Sequence, residues 1–313
     1  MSFVVSVPTR ELADDLRAGL SVAGERFDPL PADIDVIVWD MRTDASHERL
    51  DIVVPPYMSQ QATLPRLAGI EVGLVQGQSI GFDGIADVLP AGVRFANATT
   101  VHEASTAELA LALTLAAQRH LPDFVRSAER GLWQPVSAAS LADRRVLLLG
   151  YGGVGKAVAA RLAGFEVDLT VVARTARDEN GVTVHAIDEL PALLPAAEVL
   201  IVTLPGGAET EKIIDAAALA ALPDGALVVN VGRGPLIDTD ALVAELSTGR
   251  LRAALDVTEP EPLPEGHPLF SLALIAPHVG GDTTAMRPRI ARLVRQQIDR
   301  MLAGEAPLNV VIG

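Results

Sequence analysis

Short runs of apolar and β-branched residues alternate with helical patterns along the first third of the chain. The runs predict strands over 3–7, 34–39, 51–54, 72–75 and 95–97, and a helix over 10–20. Strands that alternate with helices are typical of an α/β unit. A glycine-rich stretch over 76–83 follows the fourth of these strands, and we expect it to form a loop.

The rest of the chain opens with a long apolar helix pattern over 103–121 and a polar connection over 126–135. Unbroken apolar runs then predict strands over 146–150, 169–173, 199–204, 227–231, 253–256 and 274–276, before a last helix over 285–302. Continuous apolar strands are typical of parallel sheets buried on both faces. The predicted fold class is α/β, with two Rossmann-like doubly wound parallel-sheet domains and a cleft between them.

Composition narrows the classes of partner. Of the 313 residues 49% are hydrophobic, which is enough for large buried cores. The net charge of −15 repels nucleic acid and anionic lipid surfaces. The apolar stretch over 109–117 is shorter than a membrane span. There is no cysteine, which excludes disulfides, thiolate metal sites and a Cys nucleophile. The first residues resemble a strand and not a signal peptide, so we expect a cytoplasmic protein without a metal.

A G-x-G-x-x-G motif lies directly after the predicted strand over 146–150 and opens a helix. It comprises Gly150, Gly152 and Gly155, with Gly153 and Val154 between them. In this setting the glycines allow a tight turn, close approach of the backbone to a pyrophosphate, and close packing of helix on strand. The alternative is an ordinary glycine-rich turn, but the strand–turn–helix context favours dinucleotide binding.

The acidic residue expected about 20 residues further on, to hold the ribose 2′-hydroxyl, is missing. The strand over 169–173 is followed by Arg174, Thr175 and Arg177, with no carboxylate at its end to repel anions. These residues suit a 2′-phosphate, so the sequence favours NADP(H) over NAD(H). The alternative is that the arginines are solvated loop residues and that either cofactor is accepted.

Three further segments begin at the carboxyl ends of predicted strands, where open α/β sheets bind their ligands. They contain Arg233, Glu261 and His278. Arg offers a bidentate fork to a carboxylate or keto oxygen, His moves a proton at neutral pH, and Glu can hold an imidazole in one tautomer. Taken singly, each could instead be a strand-end, surface-loop or core residue.

Together these segments resemble the D-isomer-specific 2-hydroxyacid dehydrogenase family, in its glyoxylate/hydroxypyruvate reductase-like branch. The likeness rests on the glycine loop, Asn230-x-x-Arg233-Gly, Asp256-Val-Thr-Glu-Pro-Glu261-Pro, Gly266-His-Pro-Leu and Pro277-His278, in the family's order and spacing. The resemblance implies that Arg233 binds the substrate carboxylate and carbonyl. It implies that His278 donates the proton during reduction, with Glu261, and not Glu259, as its acidic partner.

The resemblance also implies further contacts. Backbone amides of Ile80 and Gly81, beside Gln78 and Ser79, would bind the substrate carboxylate, as a run of free N–H groups can. The alternative is that this loop is only a turn. The expected cofactor contacts include Thr106, Leu204, Pro205, Val231, Gly232, Asp256 and Gly280. The long helix is expected in a homodimer interface. The family pattern places a substrate domain at 1–97 plus 283–313, and a dinucleotide-binding domain at 98–282.

The expected substrate follows from exclusion within the family. The stretch over 54–61 has no Arg or Lys to hold a phosphate, which argues against 3-phosphoglycerate. Glu261 stands where the formate-oxidising branch of the family has Gln, which argues against formate as the substrate. Ile80 stands where the phosphite-oxidising branch has Lys, which argues against phosphite. A small or apolar 2-keto acid such as glyoxylate or hydroxypyruvate remains, and Tyr57 and Met58 are candidates to line its side-chain pocket.

Two other functions stay open. A dinucleotide-sensing protein of the corepressor type would keep the same site residues, although this chain shows no added partner-binding segment. An alanine-dehydrogenase-type enzyme would need a lysine near the site, and neither Lys156 nor Lys212 is placed for that role.

Overall fold

The computed structural model describes residues 2–313 and divides them into two compact units, one of residues 2–102 and 283–313 and one of Glu103–Asp282. The strands are β1 Phe3–Val7, β2 Leu20–Val22, β3 Glu25–Phe27, β4 Ile34–Val38, β5 Arg49–Val53, β6 Glu71–Gln76, β7 Phe95–Ala96, β8 Arg145–Leu149, β9 Asp168–Ala173, β10 Arg177–Glu179, β11 Val182–Ala186, β12 Val199–Val202, β13 Leu227–Asn230, β14 Arg252–Leu255, β15 Leu274–Ile275 and β16 Val310–Ile312.

The α-helices are α1 Arg10–Ala18, α2 Gln60–Thr63, α3 Ile85–Val88, α4 Glu103–Gln118, α5 Leu121–Glu129, α6 Gly153–Leu162, α7 Leu190–Leu193, α8 Ala216–Ala221, α9 Thr239–Ser247, α10 Leu269–Leu272 and α11 Met286–Leu302. Single 3₁₀ turns lie at Leu64–Leu67, Ile187–Glu189, Leu194–Ala196 and Gly234–Leu236. Among the described residues no helix is both long and apolar enough to cross a membrane.

The first unit is built on a six-stranded sheet in the order β16-β7-β6-β5-β1-β4, parallel except at β16. Its parallel part has the 2-1-3-4-5 order of flavodoxin-like sheets, a doubly wound relative of the Rossmann order. Successive residues of β1 face opposite sides of the sheet: Val5 and Val7 pack with α1 and α11, whereas Val4 packs in a second cluster with Leu64 and Leu67. Apolar cores therefore cover both faces.

The second unit is built on an eight-stranded sheet in the order β10-β11-β9-β8-β12-β13-β14-β15, parallel except at β10. From β11 to β14 this is the Rossmann order 3-2-1-4-5-6. In β8, Leu147 and Leu149 enter one core cluster, while Val146 and Leu148 enter the other. Both faces of each central strand are buried, which explains the unbroken apolar runs, and the predicted α/β fold class is confirmed.

The structure differs from the sequence prediction in three places. Residues 98–102 pack with the first unit, because Ala98 and Val101 are buried in its core. The predicted polar connection over 126–135 is helical up to residue 129. No helix or strand follows from 130 to 144, and residues 130–137 are all exposed. Five strands were not predicted. β2, β3, β10 and β16 have three residues each and lie at an edge or in a hairpin, and the residues of β11 alternate between apolar and polar instead of forming a continuous apolar run.

Candidate active site

The glycine loop follows β8 and leads directly into α6. Gly150 has a φ angle of +108°, which side chains rarely allow. A Cβ atom on Gly155 would lie 2.0 Å from the Gly150 carbonyl oxygen, so only glycine lets α6 start so close to the strand. A Cβ atom on Gly152 would meet no described atom within 4 Å. Open space at the N-terminus of α6, where Gly153 and Val154 form the first turn, fits a pyrophosphate.

The arginines predicted to bind a 2′-phosphate lie beyond the end of β9, but carboxylates accompany them. Arg174 is 82% exposed and lies 3.6 Å from Glu209. Arg177 donates to Glu179 at 3.0 Å, to the Thr175 carbonyl at 3.3 Å and to the Tyr151 carbonyl at 3.4 Å. The sequence expectation of a site without a carboxylate was therefore wrong, because Glu179 arrives on the unpredicted strand β10 and Glu209 on a loop after β12.

Arg233 lies just after β13, in a segment shaped by Asn230. The Asn230 side chain accepts from the Gly232 amide at 3.0 Å and donates to the Arg233 carbonyl at 2.8 Å. A Cβ atom on Gly234 would lie 1.9 Å from the Thr258 carbonyl oxygen, so glycine lets this turn pack on the segment that carries Glu261. The Asn-x-x-Arg-Gly pattern thus brings Arg233 to the loop after β14.

Glu261 and His278 form a hydrogen-bonded ion pair through Oε1 and Nδ1, with both side chains about one-third exposed. The bond to Glu261 raises the pKa of His278 against the opposing effect of burial. Burial works to raise the pKa of Glu261, but its bond to His278 and the charge of His278 outweigh burial and lower it. The positive charge of Arg233 lowers both pKa values, which places it near the pair.

Asp256 supports the backbone of the loop that carries His278. Its buried carboxylate accepts from the amides of Val279 at 2.8 Å and Gly280 at 3.0 Å, and its carbonyl accepts from the His278 amide at 2.8 Å. Burial raises the pKa of Asp256 in spite of these bonds. His278 has a φ angle of +55°, a conformation that L-residues rarely adopt and that is often found at functional sites.

The remaining predicted cofactor contacts of the second unit fall into two groups. Thr106 and Asp256 meet at Gly280, where a Cβ atom would lie 2.8 Å from the Asp256 carboxylate and 3.3 Å from Thr106 Cγ2. Gly232 packs on the Leu204 carbonyl, 2.5 Å from an added Cβ, beside the buried Val231. Pro205 follows, and its carbonyl accepts from Thr210 at 3.0 Å. All of them follow strand ends at the carboxyl edge of the sheet or lie on α4.

In the first unit, the loop over 77–81 follows β6 and is anchored by its carbonyls. The Gln78 carbonyl bonds to His102, the Ser79 carbonyl accepts from Ala98 at 2.9 Å, and the Ile80 carbonyl accepts from Asn97 at 2.8 Å. Within the described residues, the amides of 78–81 donate to no protein acceptor. A loop that fixes its carbonyls and leaves its amides available can bind an anion.

Sequence reasoning missed His102 and named Tyr57 only as a candidate to line the substrate side-chain pocket. His102 is buried, bonds through Nε2 to the Gln78 carbonyl, and stacks on the Tyr57 ring with centroids 5.9 Å apart. One imidazole thus connects the loop over 77–81 to Tyr57. No sequence motif marked His102, because its role depends on a contact between segments that are distant in the chain. No group of three or more metal-ligating side chains occurs among residues 2–313.

This strand order, with the glycine loop at its switch point, is typical of a dinucleotide-binding domain. Residues 111–280 match the model of the NAD-binding domain of D-isomer specific 2-hydroxyacid dehydrogenases. The chain belongs to this family, whose named members act on CH–OH groups with NAD(P).

Named relatives fall into more than one branch. The chain is 30% identical to glyoxylate reductase of Thermofilum pendens over 76% of its own length and 74% of that protein. It is 34% identical to D-3-phosphoglycerate dehydrogenase of Mycobacterium leprae, but covers only 46% of that longer protein. The structure of NADPH-dependent glyoxylate/hydroxypyruvate reductase of Sinorhizobium meliloti, in complex with NADP and malonate, has a TM-score of 0.78 and 27% identity, over 99% of this chain and 97% of that one.

Proposed function

We propose that this protein reduces small 2-keto acids to 2-hydroxy acids with a nicotinamide nucleotide, and that glyoxylate or hydroxypyruvate is its substrate. The observation that carries the proposal is the pair Glu261–His278 with Arg233 close enough to shift the pKa of both residues. An imidazole held by a carboxylate is a proton donor at neutral pH. A guanidinium beside it suits the carboxylate and keto oxygen of the substrate.

The nicotinamide, when bound, supplies or accepts a hydride. Because Glu261 occupies Nδ1 of His278, Nε2 is the nitrogen that carries a proton to the keto oxygen. Glu261 raises the pKa of His278, so the imidazolium is available in the direction of reduction. Arg233 stabilises the negative charge that develops on the same oxygen.

We assign the substrate carboxylate to the amides of the first-unit loop, at Gln78, Ser79, Ile80 and Gly81. His102 holds this loop and the Tyr57 ring together, so the ring can line the pocket for the substrate side chain. The similarity to D-3-phosphoglycerate dehydrogenase suggests a second candidate, a larger and phosphorylated substrate. Against it, the stretch over 54–61, which contains Tyr57, has no Arg or Lys to hold a phosphate.

For the cofactor, we propose NADP(H) over NAD(H). The supporting observations are Arg174, Thr175 and Arg177 beyond the end of β9, and the NADP named with the Sinorhizobium structure. We assign the pyrophosphate to the glycine loop and the nicotinamide end to Thr106, Asp256 and Gly280. The carboxylates of Glu179 and Glu209 oppose a 2′-phosphate, so the preference is moderate and not absolute.

The test is oxidation of NADPH and NADH in the presence of glyoxylate, hydroxypyruvate or phenylpyruvate, followed by absorbance. We expect turnover that prefers NADPH and falls by about 10²–10⁴-fold in His278→Ala. His47→Ala is the matched control, because it removes a histidine of the first unit whose ring bonds only to Ser46 within the described part of the chain.

A wild-type protein that binds NADPH but turns over none of these keto acids would refute the reductase and favour a dinucleotide sensor. Equal turnover in wild type and His278→Ala would refute the assigned proton donor. Turnover of 3-phosphohydroxypyruvate above that of glyoxylate would move the substrate to the phosphoglycerate branch.

We also propose that the protein is a homodimer. The resemblance places the long helix α4 in the interface, and we extend the interface to α5, which follows α4 directly, and to the exposed stretch after α5. Trp133 is 96% exposed, and Val125, Leu132 and Val136 are all about half exposed. So many exposed apolar side chains on one segment are typical of a surface that is covered by a partner. Light scattering of the wild type should give twice the monomer mass, and Trp133→Glu should give a monomer. Phe270→Glu, at another exposed aromatic residue of the same unit, should remain a dimer.

A further inference from the structure

A carboxylate lies at the centre of the cationic surface beside the glycine loop. Glu179 Oε1 pairs with Lys156, and Glu179 Oε2 accepts from Arg177 at 3.0 Å. The charged groups of Lys156 and Arg177 lie 5.7 and 5.8 Å from the centroid of the Tyr151 ring. We name Tyr151, Lys156, Arg177 and Glu179 the adenosine-side cluster, because it lies beside the loop after β9.

Three elements bring these side chains together. Tyr151 belongs to the glycine loop and Lys156 to the first turn of α6. Arg177 and Glu179 are two residues apart on β10, so their side chains lie on the same face of that strand. β10 is held antiparallel to β11, with Glu179 opposite Val182, by a turn in which Gly181 has a φ angle of +81°. The position of Glu179 is therefore set by the edge hairpin.

The adenosine-side cluster contains both positive and negative charges, so it both attracts and repels an anion. Lys156 and Arg177 contribute two positive charges, and Glu179 neutralises one of them while bonding to both. The two cations hold the pKa of Glu179 below its usual value, first through the Lys156 bond and then through the Arg177 bond, so it is ionised at neutral pH. Arg174 is more exposed, and among the described residues its guanidinium pairs only with Glu209, at 3.6 Å.

We propose that Glu179 is a positioning residue that sets how strongly this protein prefers a 2′-phosphorylated nucleotide, by competing with the 2′-phosphate for Lys156 and Arg177. The inference rests on the proposed assignment of the 2′-phosphate to Arg174, Thr175 and Arg177. A phosphate that enters the cluster gains two cations but meets the charge of Glu179. Without that charge the cations are free to turn to the ligand.

The test compares two probes that differ only in the 2′-phosphate, ADP-ribose and 2′-phospho-ADP-ribose, by titration calorimetry on the full chain. The measured quantity is the ratio of their dissociation constants. Glu179→Gln should raise the preference for the 2′-phosphorylated probe by about threefold to tenfold, as expected for one partly screened charge. Glu179→Asp retains the charge and should keep the preference of the wild type.

Two matched variants remove a negative charge elsewhere. Glu209→Gln removes the partner of Arg174, and the long contact between two exposed side chains predicts a change below about twofold. Asp224→Asn removes an exposed acid just before β13, at the amino end of the sheet and opposite the cofactor loops, and should leave the preference unchanged.

A merely structural role for Glu179 would lower the affinity for both probes together, and that result would overturn the inference. An unchanged or smaller preference in Glu179→Gln would overturn it as well. The same titrations test the proposed cofactor independently of the role of Glu179. Equal binding of both probes by the wild type, unaffected by Arg174→Gln, would refute the NADP(H) proposal, whereas a rise in Glu179→Gln would still support the role of Glu179.

Discussion

The second unit contains two ionic groupings at the carboxyl edge of one sheet, and they differ in what their carboxylate does. Glu261 faces one histidine, is bonded directly to it, and changes the protonation of that partner. Glu179 faces the ammonium of Lys156 and the guanidinium of Arg177, neither of which is assigned a proton transfer in the reaction. The same functional group therefore controls a proton in one place and a local field in the other.

The difference follows from the partner and not from burial. The side chains of Glu261 and Glu179 are 37% and 26% exposed, so the carboxylate with the smaller expected effect on catalysis is the less exposed one. A titrating partner turns a carboxylate into part of the acid–base machinery. A permanently charged partner leaves it able only to adjust the affinity for another charge. The predictions below test this distinction.

The largest expected effect is the loss of rate when the acid of the catalytic pair is removed. Glu261→Gln should lower the rate of keto-acid reduction by about 10²–10³-fold, because the imidazole loses the partner that orients it and favours its charged form. Glu259→Gln is the matched control, since Glu259 lies two residues away and does not pair with His278. A steady-state comparison in which both variants lose equal activity would contradict the assigned pair.

The pH dependence of the same variant separates protonation from structure. Reduction needs protonated His278, so its rate is constant at low pH and falls as the pH rises through the raised pKa of His278. In Glu261→Gln the fall should begin at lower pH, because the group that raises this pKa is gone. Oxidation of the hydroxy acid needs the neutral imidazole, so its rate should rise as the pH rises through the same pKa. Profiles of kcat/KM with identical midpoints in wild type and variant would refute the coupling.

The third prediction concerns stability. Asp256 accepts two backbone amides, from Val279 and Gly280, whereas the amide side chain of Asp256→Asn can accept only one and turns a donor toward the other. The variant should lose about 1–3 kcal/mol in the free energy of unfolding of its unit. Urea unfolding measures this, with Asp282→Asn at an exposed position of the same loop as control. Equal midpoints for the two variants would show that the Asp256 bonds are not needed.

The sequence predicted the fold and the candidate site best where the feature depends on residues close together in the chain. The loop was predicted from its glycines, and the backbone requires glycine at Gly150 and Gly155. The strand β8 was predicted from a continuous apolar run, which the burial of both its faces explains. Arg233 and His278 were found because parallel strands end at one edge of the sheet.

The sequence was uninformative where a residue acts across distant segments. Glu179 lies on a three-residue strand with no apolar pattern, and only the hairpin turn at Gly181 brings it to Lys156. His102 contacts Gln78 and Tyr57, which are far from it in the chain, and no spacing rule connects them. Both residues contact a predicted site without belonging to its motif, so only the folded chain brings them to it.

The smallest expected effect distinguishes the two groupings by salt. A nucleotide arrives from solution and competes with ions for the adenosine-side cluster, so the preference for NADPH over NADH should fall by about threefold when NaCl is raised from roughly 0.05 to 0.5 M. Glu261 and His278 are tethered and already bonded, so the pH midpoint of His278 should hardly move over the same range. In Glu179→Gln the cluster has a larger net positive charge. The preference of this variant for NADPH should therefore fall more steeply with salt than that of the wild type. If the preference for NADPH does not change with salt in either protein, the 2′-phosphate is not recognised through charge. The proposed difference between Glu179 and Glu261 would then be refuted.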